Sequence, residues 1–358
     1  MLSVGIVGLP NAGKSTLFRA LTRAPVAVAS YPFTTVEPNT GVAAVPDERL
    51  EVLARITGAE RVVPATLRVV DIAGLVRGAH RGEGLGNRFL GHVREMAALL
   101  HVVRAFDDPE VAHVEGSADP LRDVEVVETE LLLADLEAVQ RRLERVAPRA
   151  RAGEEGAREE LRALEEAAAA LGRGEPARSL SEASRRALRP LRLLTEKPVA
   201  YVVNLGEGQE DGRVEAVRRL GQARGVPVLV ACLKVESELL ELPEEEARAY
   251  REAAGLGEGV LAQVVRAGYR LLDLVTFFTT ESREVRAWPV PRGTRAARAA
   301  GEVHTDMERG FIRAEVVGFD ELVRWGSLQA AREAGRVRLE GRDYEVREGD
   351  VITFRFHT

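Results

Sequence analysis

The stretch Gly8-Leu9-Pro10-Asn11-Ala12-Gly13-Lys14-Ser15 decides how the rest of this 358-residue chain is read. It satisfies the pattern G-x-x-x-x-G-K-[ST] at every fixed position. Leu2-Ser3-Val4-Gly5-Ile6-Val7 precedes it as an apolar run of strand length, and Thr16-Leu17-Phe18-Arg19-Ala20-Leu21 follows with helical spacing. In a strand–loop–helix context the glycines turn successive backbone N–H groups onto a phosphate, and the helix amino terminus adds partial positive charge. Lys14 then reaches the β- and γ-phosphates, and the Ser15 hydroxyl ligates Mg²⁺. Of 50 basic residues only Lys14, Lys197 and Lys234 are lysine. An arginine-biased chain has kept a slim ammonium where a planar guanidinium would not enter the cradle. The bland alternative is a glycine-rich turn before an ordinary helix, and a second motif argues against it.

That motif is Asp71-Ile72-Ala73-Gly74, at the end of the strand-like Ala65-Thr66-Leu67-Arg68-Val69-Val70. An aspartate there holds the Mg²⁺ water shell, and the Gly74 N–H senses the γ-phosphate, as in nucleotide switches. Leu75 follows where Ras-type switches have a water-orienting glutamine, so either intrinsic hydrolysis is slow or another group places the water. His80, in the glycine-rich segment from Val76 to Asn87, is one candidate, against a simply solvated loop histidine. His113 is another, in the loop from Asp107 to Pro120 at the expected carboxyl edge of the sheet, where open α/β sheets bind ligands. His101, inside the apolar run Ala98 to Phe106, reads as a packed core residue. Between the first helix and Asp71, Tyr31-Pro32-Phe33-Thr34-Thr35-Val36-Glu37-Pro38-Asn39 is a connecting segment, with Thr35, or failing it Thr34, as the switch threonine for Mg²⁺.

Composition limits the classes open to the chain. A hydrophobic content of 45% supports real cores, and a net charge of −6 gives no global pull toward nucleic acid. The single cysteine, Cys232, sits in an apolar run and reads as a small core residue. With a strand from the start and no apolar run near the ~18 residues of a membrane span, a cytoplasmic protein with no membrane partner is expected.

From Leu121 to about Thr195, apolar residues recur at helical spacing (Leu132, Leu136, Val139, Leu143, Val146), with further runs at Glu159 to Leu171 and Ser181 to Leu194. This predicts an antiparallel, coiled-coil-like helical insertion. The α/β pattern resumes with Pro198-Val199-Ala200-Tyr201-Val202-Val203, ending in Asn204-Leu205-Gly206-Glu207. GTPases carry N-K-x-D here, where the aspartate accepts from guanine N1–H and the 2-amino group. Adenine offers neither donor, and Glu207 would displace the carboxylate by a methylene, so adenine is favoured over guanine. The last segment alternates strand-like runs with a helical run near Arg295 to Ala300, which predicts a compact β-grasp-like α+β module. Arg283, Arg286, Arg292, Arg295 and Arg298 fall close together within it, either as a phosphate-facing patch or as a scattered solvated surface.

The expected fold is therefore α/β: a P-loop NTPase domain over 1–120 and 196–274, an inserted helical coiled-coil domain over 121–195, and a terminal α+β domain over 275–358. Across nearly its whole length the chain resembles the YchF/Obg-like ATPase family of P-loop proteins. The resemblance rests on Gly8 to Thr16, Tyr31 to Asn39, Asp71 to Asn87, Asn204 to Glu207, and the carboxyl-terminal Ile312-Arg313-Ala314-Glu315, Leu339-Glu340-Gly341 and Gly349-Asp350-Val351. It implies an Obg-type G domain, a terminal TGS domain, and slow ATP hydrolysis in preference to GTP. By residue, it implies nucleotide contacts from Asn11, Ala12, Gly13, Lys14, Ser15, Thr16, Asn204, Leu205 and Glu207. Mg²⁺ would lie at Ser15 and Thr35, and the catalytic roles would fall to Lys14, Asp71, Gly74 and His113. It further implies potassium activation through Asn11, and association with ribosomes and RNA through the TGS and helical domains, in translation or stress responses. Two other readings stay open beside the ATP-driven switch: a GTP-preferring translation-factor GTPase, and a ribosome- or RNA-binding regulator whose hydrolysis is incidental.

Overall fold

Ser3–Val7 (β1) is buried at every position, as expected of a central parallel strand covered on both faces. The computed structural model describes residues 2–23, 39–74, 78, 85–114, 116–207, 212–254, 259–281 and 283–357. After β1 come α1 (Lys14–Arg23), β2 (Thr40–Ala44), α2 (Arg49–Thr57), β3 (Arg61–Val63), β4 (Thr66–Asp71), α3 (Leu85–Glu95) and β5 (Ala98–Ala105). The helices α4 (Pro120–Arg151), α5 (Ala157–Gly172) and α6 (Glu182–Leu188) precede β6 (Val199–Leu205), α7 (Gly212–Arg224), β7 (Val228–Ala231), α8 (Leu233–Leu239), α9 (Glu244–Ala253) and α10 (Val260–Leu271). The chain then runs through β8 (Leu274–Glu281), β9 (Glu284–Pro291), α11 (Ala296–Val303), α12 (Thr305–Arg309), β10 (Phe311–Gly318), α13 (Phe319–Trp325), α14 (Leu328–Glu333), β11 (Arg338–Glu340) and β12 (Asp350–Phe356). Among the described residues, 2–23, 39–41 and 68–268 form one compact unit, and 42–67 with 269–357 form another.

The sheet of the first unit has the order β2-β4-β1-β5-β6-β7, and β1 is parallel to both β4 and β5. Register pairs such as Ile6↔Asp71, Val7↔His101 and Ala105↔Leu205 bring the carboxyl ends of β1, β4, β5 and β6 to one edge. That edge receives the nucleotide motifs. The helical insertion leaves after β5 and returns before β6. The Asp119 carboxylate caps α4 by accepting from the Arg122 N–H at 3.2 Å, and Pro120 takes the first turn, where its missing N–H costs nothing. Val139 and Val146 of α4 pack against Leu164 and Ala167 of α5, all fully buried. Asp135, 0% exposed, accepts from the N–H groups of Leu194 and Thr195 and from the Thr195 hydroxyl at 2.7–2.8 Å, tying the returning chain to α4. The expected third helix, Ser181 to Leu194, is shorter: α6 stops at Leu188 and short 3₁₀ turns follow. Pro190 supplies the reason, because it has no N–H for the next helical bond.

The sheet of the second unit has the order β11-β10-β12-β8-β9-β3, with α11 against its core of Phe277, Phe311, Ile352 and Phe354. Its edge strand comes from far upstream. Arg61–Val63 pairs in parallel with β9, and Arg49 on α2 binds Asp47 and Glu348 at 2.7 and 2.6 Å. Residues 42–67, which the sequence division keeps inside the nucleotide domain, thus pack with the carboxyl-terminal unit, because a three-residue strand finds its partner only through tertiary pairing. The five neighbouring arginines are each engaged with acidic groups. Arg283 pairs with Glu60, Arg286 with Glu284 at 3.8 Å, Arg292 with Asp273 at 2.9 Å, Arg295 with Asp343, and Arg298 with Glu302 and Glu308 at 3.4 and 3.1 Å.

Candidate nucleotide site

The loop between β1 and α1 takes the shape of a phosphate cradle, and its glycines are required by contact as well as by conformation. Gly8 and Gly13 have φ of 147° and 103°. A Cβ there would lie 2.4 Å from the Val102 carbonyl oxygen and 2.4 Å from Asn204 Nδ2, respectively. Asn11 adopts left-handed φ, 62°, and its amide donates to the Ala112 carbonyl at 3.0 Å, tying the cradle to the loop after β5. Lys14 is 7% exposed and donates to the Leu9 carbonyl at 2.8 Å. Burial lowers its pKa to about 8, with the Asp71 charge opposing the shift.

Four of the predicted groups, Lys14, Ser15, Asp71 and Gly74, meet at the front of the cradle. Ser15 Oγ donates to Asp71 Oδ2 at 2.7 Å. Asp71 Oδ1 is buried and has no hydrogen-bond partner among the described residues. Gly74 lies so close that a Cβ would come within 3.0 Å of Lys14 Nζ and of the Pro10 nitrogen. A serine hydroxyl beside a carboxylate with an unspent buried oxygen fits a hard divalent cation such as Mg²⁺, which takes one or two protein oxygens and completes its shell with water and phosphate. Among the described residues no cluster of three or more His, Cys, Asp or Glu offers a cation an all-protein cage.

At the other end Asn204, 5% exposed, bridges two loops. Its Nδ2 donates to the Ala12 carbonyl at 3.0 Å, and its Oδ1 accepts from the Leu233 N–H at 3.1 Å. Leu205 and Glu207 line a cleft of about 710 Å³ that also contains Asn11, Gly13, Lys14, Ser15 and Thr16. Phe106, Lys234 and Ser237 share this cleft, and motif reading does not single them out for it.

His113 is placed elsewhere. Its side chain is 4% exposed and its Nε2 lies 2.8 Å from Asp123 Oδ2, in the first turns of α4, outside the residues lining the cleft. Burial raises the Asp123 pKa, while His113 and Arg122 pull it back. Arg104, 3% exposed, shapes this loop by donating to the carbonyls of Phe106, Asp108 and Ala112, with its guanidinium 4.3 Å over the Phe106 ring. A buried arginine in an otherwise apolar strand was the available signal for it. Thr35 and Thr34, Leu75 and His80 lie outside the described residues.

A mostly parallel sheet with a phosphate cradle and a D-x-x-G turn at its carboxyl edge defines a P-loop nucleoside-triphosphate-binding protein with a G-type domain, carrying a helical insertion and a carboxyl-terminal α+β unit. Comparisons with known proteins agree. Residues 3–143 match a family model described as "50S ribosome-binding GTPase", and residues 274–357 match YchF-GTPase_C, described as "Protein of unknown function (DUF933)". The chain is 47% identical to a Haemophilus ducreyi protein named ribosome-binding ATPase YchF, over 99% of this chain and 98% of that protein. A Bacillus subtilis protein of the same name is 44% identical, over 99% of each. The solved structure of the Schizosaccharomyces pombe YchF GTPase superposes with a TM-score of 0.88 at 36% identity, over 99% of this chain and 97% of that one. The chain belongs to the YchF family.

Proposed function

We propose that this protein is a ribosome-associated, Mg²⁺-dependent nucleotide switch that binds ATP in preference to GTP and hydrolyses it slowly. The observation that carries the reading is the meeting of Lys14, Ser15, Asp71 and Gly74 at one spot, with a buried carboxylate oxygen unspent. Relatives from H. ducreyi, B. subtilis and Escherichia coli, each named a ribosome-binding ATPase, support the activity and the partner. Among the described residues no helix is long and apolar enough to cross a membrane. A ribosomal partner goes with a cytoplasmic location.

In this reading the backbone N–H groups of Asn11 to Thr16 receive the phosphates, and Lys14 exchanges the Leu9 carbonyl for phosphate oxygens, which favours its protonated form. Ser15 and Thr35 would hold Mg²⁺, with Asp71 accepting from its water shell; the bound ion neutralises charge across the β- and γ-phosphates. Gly74 donates its N–H to the γ-phosphate and lets go after hydrolysis. His113, held on Asp123 outside the cleft, would have to leave that carboxylate to serve as the water-placing group. The Asn11 bond to Ala112 uses Nδ2 and leaves Oδ1 for a potassium ion. Glu207 and Leu205 on the cleft wall support adenine as the base. The competing GTPase reading draws support from the names borne by the S. pombe structure and by the amino-terminal family model.

The test is ATP turnover by the full chain with Mg²⁺ or with EDTA, alongside co-sedimentation with ribosomes. Turnover that requires Mg²⁺ and falls at least tenfold in Asp71→Asn, together with co-sedimentation, is expected. Turnover indifferent to both, or a chain that stays in the supernatant, contradicts the proposal.

A further inference from the structure

A second cavity, of about 450 Å³, lies in the first unit between the sheet and the root of the helical insertion. It shares none of its lining residues with the nucleotide cleft. Leu99 and His101 of β5 form its floor, and Val127 and Leu131 of α4 form its roof. Its size is in the range of small-molecule sites, ~300–1,000 Å³. Val7 pairs in register with His101, so the cavity abuts the strand that carries the phosphate cradle without entering the cradle.

The polar lining is unbalanced. Arg178, Lys197 and Arg224 face the cavity with one carboxylate, Glu128. That carboxylate is already heavily used. It accepts from the Tyr201 hydroxyl at 2.5 Å and from the Arg224 guanidinium, and Arg178 stands 3.9 Å away. Lys197 donates to the Arg94 and Met96 carbonyls and lies near Asp135, so the positive charge turned toward the apolar chamber is that of Arg178 and Arg224, which share Glu128. On the floor His101 is 2% exposed, and its Nε2 has no hydrogen-bond partner among the described residues. Burial lowers its pKa to about 3, so the ring is neutral. An unsatisfied buried polar atom is a cost that a ligand can remove.

We propose that this cavity binds a small amphipathic organic anion, with its apolar body between Leu99 and Leu131, its anionic group toward Arg178 and Arg224, and a polar atom on His101 Nε2. The inference is independent of which nucleotide fills the cradle.

The probe is 8-anilinonaphthalene-1-sulfonate, an apolar ring system with an anionic end, titrated into the full chain while saturating ADP and Mg²⁺ occupy the cradle. One saturable site is expected, weakened at least tenfold in Arg178→Glu and lost in Leu132→Trp, which fills the chamber. Unchanged ADP affinity in each variant shows that it is folded; should the tryptophan variant not fold, Arg178→Glu at the rim decides alone. No saturable binding to the wild type, binding seen only without ADP, or equal affinity in Arg178→Glu overturns the proposal.

Discussion

Lys14 and Arg295 both carry a cation on a long side chain, and the protein keeps them in opposite ways. Lys14 is 7% exposed, bonded among the described residues to a backbone carbonyl, and burial pulls its pKa down to about 8. Arg295 has a side chain 65% exposed and pairs with Asp343. Its neighbours Arg283, Arg292 and Arg298 are paired in the same way. The cradle therefore holds polar groups whose best partner is not protein: a desolvated ammonium, and a carboxylate oxygen on Asp71 that accepts from no donor among the described residues. Arg283, Arg292, Arg295 and Arg298 have already spent their charge on neighbouring carboxylates. Residue type alone does not separate a ligand site from a solvated surface; the state of satisfaction does.

The contrast can be broken by substitution. Lys14→Ala should weaken ADP binding by up to about a hundredfold, from the loss of a charge-assisted bond of up to ~3 kcal/mol, as read by fluorescent-nucleotide titration. A change under threefold would mean that Lys14 is merely a buried structural lysine. Asn204→Ala comes next. It strands the Ala12 carbonyl and the Leu233 N–H in a buried place, so chemical denaturation should show a loss of about 2 kcal/mol, with nucleotide affinity falling alongside.

A smaller effect sharpens the same contrast through pH. Phosphate favours the protonated ammonium, so the folded pKa of about 8 for Lys14 must rise on binding. Below pH 8 the proton is already present and affinity is flat. Above it the proton must be taken up on binding, so affinity should fall by up to about tenfold per pH unit. Titrations at pH 7, 8 and 9 read this directly, and a flat profile would contradict the buried-ammonium account. The smallest effect belongs to the other region. Arg295→Ala should change stability by no more than about 0.5 kcal/mol, as exposed ion pairs do, and should leave nucleotide binding untouched.

What could be read from the sequence was what is local. Gly8 to Ser15 and Asp71 to Gly74 are short patterns whose chemistry is fixed by spacing, and the structure brings their Lys14, Ser15, Asp71 and Gly74 side by side. The helical insertion was legible from the spacing of Val139 and Val146 with the run at Glu159 to Leu171. Its end was misjudged because helical periodicity runs on through Pro190, where the backbone cannot. Arg61–Val63 is too short to announce a strand, and its place beside β9 depends on pairing more than two hundred positions away in the chain. His113 illustrates a different limit. Its loop position gives no sign of Asp123, because that bond arises from how α4 begins against the loop. The unpartnered nitrogen of His101 was invisible for the same reason: a histidine in an apolar strand reads as packed core until the layer above it is known.

The central claim is that this cleft reads adenine. Equilibrium titration of the full chain with fluorescent ADP and GDP analogues in the presence of Mg²⁺, for the wild type and Glu207→Asp, tests it most directly. The account predicts tighter ADP binding by the wild type and a narrowed gap in the variant, about tenfold or less in each nucleotide, the scale of one hydrogen bond. Tighter GDP binding by the wild type would contradict it and leave the protein a guanine-nucleotide switch.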